Sequence, residues 1–164
     1  MTTRIRNPLA LAPEGIKAMM ALEKSFEASG LDPVLMELVK LRVSQINGCA
    51  FCIHMHAAFL RKAGVTEMRL YMLEAWRESS MYSEQEQAAL GWAEALTYLP
   101  QTKAPDADYE RLRAKFIEAE QVQLTLLIGA INTWNRLQVG FRVPHNVDKA
   151  DADTPRPEGS RAAA

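Results

Sequence analysis

The sequence predicts an all-α fold, a bundle of about six to seven helices. Apolar residues recur at three- and four-residue spacing along most of the chain. Helix start and stop signals punctuate that pattern, and alternating strand patterns are scarce. The length of 164 residues, with 48% apolar and 24% charged, suits one globular domain that buries a real core. No internal repeat is evident.

Pro13 and Glu14 open a first helical segment that carries Ile16, Met19, Met20, Leu22 and Phe26 and stops near Gly30. Asp32-Pro33 is a strong start signal, a side-chain cap followed by proline at the first helical position. The second helix runs from there to Asn47-Gly48, where glycine can take the left-handed stop. A third starts at or just after Cys49 and ends at Gly64. Thr66 caps a fourth, which holds Met68, Leu70, Tyr71, Leu73 and Trp76. "SEQE" at 83–86 has capping-box spacing and opens a fifth helix that reaches Leu99-Pro100. "PDADYERLRAKF" gives a short sixth. The last helix, about 118–141, contains "VQLTLLIGAI", which is apolar almost all round and therefore central in the bundle or at a subunit contact. From Pro144 the composition turns to proline, alanine and charge. The expected organisation is one helical domain over 1–143 and a mobile tail over 144–164.

The formal net charge of −1 argues against a nucleic-acid surface or an electrostatic membrane anchor, since both need a basic excess. No apolar run is long enough to span a bilayer. The "PLALA" stretch before Pro13 is too short for a signal-peptide core, so a cytoplasmic protein is expected. Cys49 and Cys52 are the two cysteines of the chain. In a reducing compartment so close a pair is reactive or metal-binding rather than a secretory staple.

The pair lies in "INGCAFCIHMH", residues 46–56. On a helix, Cys49 and Cys52 take neighbouring positions on one face. At about 100° per residue, His56 falls only about 40° from Cys52. His54 lies toward the opposite side, and Phe51 points away from the cysteine face. A thiol in the first turn sees unpaired backbone N–H groups and the positive end of the helix dipole, which favour thiolate. An imidazole one turn later can take up the thiol proton, and this turns cysteine into a nucleophile near neutral pH. A second cysteine gives an oxidised thiol an exit, because a sulfenic acid closes to a disulfide with loss of water. Two other readings compete. The cysteines could be small buried hydrophobes beside a hydrogen-bonded histidine, or Cys49, Cys52 and His56 could hold zinc with a carboxylate as fourth ligand.

A relay wants a carboxylate to orient the histidine. Glu37, at the edge of the apolar arc of the preceding helix, lies about as far from the Asn47-Gly48 turn as His56 does on the other arm. It is equally readable as a solvated helix glutamate. Arg42 falls inside that arc and needs a carboxylate or carbonyl partner. Trp134 and Arg136 of "NTWNR" are expected to pack between helices or subunits, and methionines 19, 20, 36, 55, 68, 72 and 81 to fill the core. His145 falls in the tail and receives no role.

Glu37, Cys49, Cys52 and His56 together reproduce an E-x11-C-x2-C-x3-H pattern. In this the chain resembles the alkyl hydroperoxidase D-like branch of the carboxymuconolactone decarboxylase family. "LVKLRVSQINGCAFCIHMHAAFLRKAGV", 38–65, is similar throughout, and "INTWNRLQVGFR", 131–142, resembles the family's later helix. The resemblance implies an all-α bundle assembled into trimers or hexamers and a thiol-dependent reduction of hydroperoxides without metal or other cofactor. An external dithiol of lipoyl or thioredoxin type would reset the pair. It also implies the roles: Cys52 attacks the peroxide, Cys49 resolves it, His56 shuttles the proton and Glu37 orients His56. The best-known members carry a second histidine just before the attacking cysteine. Phe51 stands there in this chain, which implies a shorter relay. A redox-sensing or disulfide-reductase module with incidental turnover is the alternative, and a zinc-stabilised helical domain a third reading.

Overall fold

The computed structural model describes residues 2–145; Met1 and residues 146–164, most of the expected tail, lie outside the described residues. Eight α-helices and three 3-10 segments make up the described chain, with no strand among the described residues. The helices are α1 (Pro13–Ser25), α2 (Pro33–Ile46), α3 (Ala50–Lys62), α4 (Glu67–Tyr71), α5 (Glu84–Thr97), α6 (Leu99–Thr102), α7 (Asp106–Arg113) and α8 (Glu118–Phe141). Helix α2 is the hub, packed against α3, α5 and α8.

The start signals act as the sequence predicts. The Asp32 carboxylate accepts from the Leu35 N–H at 2.8 Å, and Thr66 caps α4. Ser83 and Glu86 close a reciprocal capping box on α5. At α8 the Glu120 carboxylate accepts the Ile117 N–H at 3.0 Å. Gly30, Gly48 and Gly64 stop their helices with φ of 81°, 64° and 86°. The fourth expected helix is broken: α4 passes into a 3-10 segment, Met72–Glu78, with non-helical backbone at Ala75. Beyond α5, Pro100 does not end the helical path but sits in α6, which closes on Lys103 in the left-handed region at φ 57°. A short 3-10 turn, Pro8–Leu11, precedes α1 and has no counterpart among the expected elements.

The core is built from Leu35, Leu38, Val39, Leu41 and Val43 of α2, Leu90 of α5, and Leu124, Leu127, Ile128 and Ile131 of α8. Arg42 finds the partner its position demands. The Glu94 carboxylate accepts from Arg42 Nε at 2.8 Å, from Trp76 Nε1 at 2.9 Å, and from Arg77. Burial alone pushes the Glu94 carboxyl up, but these three donors outweigh it and hold it below the ordinary carboxylate range. The methionines do not all fill the core. Met20, Met55, Met68 and Met81 are 59, 46, 54 and 44% exposed, while Met19, Met36 and Met72 pack at the core margin. Met20, Met55 and Met68 lie on helices whose apolar arc is wider than the core can cover, and Met81 lies in the turn before α5.

Candidate active site

The α2–α3 hairpin brings Glu37, Cys49, Cys52 and His56 together. Asn47 and Gly48 reverse the chain, and Cys49 then takes extended backbone (φ −86°, ψ 94°) as the cap of α3. Its sulfur accepts the Cys52 N–H at 3.4 Å and so occupies the place of a capping oxygen. The two cysteines are joined as a disulfide with their Cα atoms 5.4 Å apart. Both are buried, at 1 and 2% exposure.

One turn on, His56 is buried and its Nδ1 lies 2.6 Å from Glu37 Oε2. The carboxylate accepts there, so Nδ1 carries the hydrogen and the neutral ring keeps its lone pair on Nε2. Nε2 is buried and has no hydrogen-bond partner. Burial pushes the Glu37 carboxyl up. The His56 hydrogen bond, the charge of that ring whenever it is protonated, and the charge and hydrogen bond of Lys40 overcome this, so Glu37 sits below the ordinary carboxylate range and is ionised near neutrality.

Cys52 and His56 line a cavity of about 420 Å³ whose wall is otherwise mostly apolar, from Leu9, Met20, Phe51, Met55, Phe59 and Ile131. Cys49 is not part of the lining, so Cys52 is the sulfur that faces this space. The polar groups in its lining, besides Cys52 and His56, are Glu23, Glu37, Lys40, Trp134 and Gln138. Phe51, expected to point away from the cysteine face, nonetheless lines the same cavity as Cys52. Phe51, Met55 and Phe59, spaced by four, form a ridge adjacent to the Cys52–His56 stripe, and the cavity is wide enough to reach both. Trp134 packs between helices as expected, yet it also walls the cavity and donates to Glu23 at 3.0 Å. His54 is absent from the lining, and its ring lies 5.0 Å from that of His145. Among the described residues no group of three or more His, Cys, Asp or Glu side chains is arranged to hold a metal ion in this disulfide form.

Two sets of residues near the site have no counterpart in the sequence reading. Lys40 bridges Glu37 and Glu23. A polar cluster from α8 grips the hairpin turn. Asn47 Nδ2 donates to Asn132 Oδ1 at 3.0 Å and to Asn135 Oδ1 at 2.9 Å, and Asn135 Nδ2 donates to Ser44 Oγ at 3.1 Å. Arg136 donates to Asn132 Oδ1 at 3.0 Å. The signal for this cluster is present in the sequence: two asparagines three apart inside an apolar helix must be paired if they are buried.

The carboxymuconolactone decarboxylase family model matches residues 13–95, which holds α1 to α4, most of α5 and all four residues above. An uncharacterized protein of Bacillus subtilis (strain 168), YdfG, is 47% identical over 131 residues, covering 80% of this chain and 89% of its own. The alkyl hydroperoxide reductase AhpD of Azorhizobium caulinodans is 49% identical over a 41-residue stretch, 25% of this chain and 23% of its own. Among solved structures, ATU0492 from Agrobacterium tumefaciens, a protein of unknown function named as an AhpD antioxidant-defence candidate, is 50% identical. It superimposes with a TM-score of 0.84 over 90% of this chain and 100% of its own. This chain therefore belongs to the carboxymuconolactone decarboxylase family, in its alkyl hydroperoxidase D-like branch.

Proposed function

We propose that the protein is a thiol-dependent peroxidase whose Cys49–Cys52 pair cycles between dithiol and disulfide. One observation carries the reading. Cys52 lines one cavity with a histidine whose Nδ1 is held by an ionised carboxylate and whose Nε2 is buried and unpartnered. In the reduced protein Nε2 is the acceptor for the thiol proton, and the first turn of α3 favours the anion. The Cys52 thiolate attacks the terminal oxygen of a hydroperoxide. The O–O bond breaks, the S–O bond forms, and the alkoxide leaves as alcohol after taking the proton His56 held. Cys49, already against the Cys52 amide, attacks the sulfenic sulfur, and water leaves as the disulfide closes. A dithiol donor returns two electrons and two protons by thiol–disulfide exchange through a mixed disulfide.

The apolar wall suits a hydroperoxide with a carbon tail, and the dithiol is of lipoyl or thioredoxin type. The cycle fits a reducing cytoplasm, and the exposed apolar ridge of Phe51, Met55 and Phe59 fits a homo-oligomer, a trimer or hexamer. Reduced protein given one equivalent of organic hydroperoxide should lose both of its thiols rapidly, and Cys52→Ser should lose that rapid phase. Turnover should follow on adding a dithiol. Thiols that survive an excess of hydroperoxide would refute the reading. Rapid oxidation without turnover on any dithiol would point instead to a redox-sensing module.

A further inference from the structure

The site does not end at Glu37. Trp134 Nε1 on α8 donates to Glu23 Oε1 at 3.0 Å, and Lys40 Nζ on α2 donates to Glu23 Oε2 at 2.9 Å. The same ammonium lies 3.3 Å from Glu37 Oε1, and the other Glu37 oxygen binds His56 Nδ1 at 2.6 Å. A single chain of polar contacts thus runs through α8, α1, α2 and α3 and ends at His56, whose Nε2 is buried and unpartnered and which lines the same cavity as Cys52. Each Glu37 oxygen is engaged in it. The side chains of Lys40, Glu37 and Glu23 are only 13, 14 and 22% exposed, so solvent screens the three charges little.

We propose that Lys40 is a positioning residue of the redox centre: its ammonium, shared between Glu23 and Glu37, fixes the Glu37 carboxylate so that one oxygen always faces His56, and sets the charge against which the thiol reacts. The assignment rests on the thiol-peroxidase reading of the site. The charged and titratable groups around the cavity are Glu23 from α1, Glu37 and Lys40 from α2, and Cys52 and His56 from α3. Helix α8 adds the neutral Trp134 and Gln138. Glu23 and Glu37 converge on one cation. Without it two carboxylates would repel in a poorly screened space, and one would turn away or take a proton. A lysine that merely ties α1 to α2 would contribute stability and leave the thiol's response to pH alone.

The test reads the alkylation rate of Cys52 in the reduced protein with iodoacetamide, from about pH 5 to 10, with the modified cysteine identified by mass spectrometry. Removing a cation makes every neighbouring group hold its proton to higher pH, so Lys40→Met should move the midpoint up by about 0.5 to 1 pH unit. Lys40→Arg keeps the charge and should restore the wild-type midpoint. Glu23→Gln removes an anion and should move the midpoint down. Opposite signs for the two neutralising variants separate charge-setting from simple loss of structure. If Lys40→Met does not fold, the Glu23→Gln midpoint decides. A midpoint unmoved by either variant, while Glu37→Gln moves it, overturns the proposal and leaves the peroxidase reading standing. Alkylation needs no hydroperoxide, so failure of peroxidase turnover is read separately.

Discussion

Replacing Asn135 by alanine tests whether the α8 cluster is what holds the hairpin that presents the cysteines. Asn135 is 1% exposed, and Ser44, beneath it, is fully buried. The substitution removes the 3.1 Å bond to Ser44 Oγ and one of the two bonds from Asn47 Nδ2, at 2.9 Å. Each hydrogen bond is worth roughly 1 kcal/mol net, and a buried polar group left unpaired costs about 1–3 kcal/mol. Asn47 keeps its bond to Asn132, so Ser44 bears the larger penalty. The expected loss is about 2–4 kcal/mol. For a chain of this size that is a fall in Tm of roughly 5–12 °C. Thermal and urea unfolding of the oxidised wild type and Asn135→Ala measure it. A double-mutant cycle with Asn47→Ala should return a coupling of about 1 kcal/mol. A Tm within about 2 °C of wild type, or a coupling indistinguishable from zero, would refute the view that this cluster fastens the turn.

The depressed carboxyls predict how stability depends on pH. Glu94 and Glu37 titrate below the ordinary value of 4.5 in the folded chain. Their contribution is therefore fully present above that value and is lost as pH falls through the lower folded values, when their donors lose an anion to bind. Urea unfolding between about pH 6 and 3 should show this loss, and Glu94→Gln should flatten it; an unchanged slope would mean that Glu94 is not its source. Gly48 has φ 64° with open space around an added Cβ, so Gly48→Ala meets no clash and should cost only about 1 kcal/mol of backbone strain by chemical denaturation.

Much of this was legible because it is local. Asp32, Thr66 and Ser83 announce helix starts through side chains that bond three residues on, and nothing distant overrides them. The cysteine–histidine spacing was legible for the same reason, since helical geometry over seven residues fixes it. Glu37 was readable either way until the hairpin closed, because its role depends on how two helices pack. Lys40 gave no local signal beyond standing three residues after Glu37, and its second partner, Glu23, lies on another helix. Met20, Met55 and Met68 are exposed for a related reason: amphipathic periodicity says which residues are apolar, not how much of that arc a neighbour covers. The break at Ala75 likewise has no punctuating glycine or proline in "LYMLEAWRES".

One contact that the sequence suggested and one cluster that it did not act on the two ends of one object. The hairpin of α2 and α3 can slide along its own axis or open at its turn, and either motion would separate Cys52 from the histidine proposed as its base. The Glu37–His56 contact ties the two arms about two turns from the bend, while Asn132 and Asn135 hold the bend itself through Asn47. Cys52 lies between these fastenings. Because α8 supplies the clamp at the turn and also Trp134 to the far end of the charge chain, one rigid helix sets both. Opening the disulfide at this helix cap would change the local bonding at Cys49, where sulfur substitutes for a capping oxygen. With both fastenings outside the 49–52 segment, that change need not propagate: in the cycle we propose, the pair would exchange covalent states while the imidazole, its carboxylate and the cavity wall stay in place.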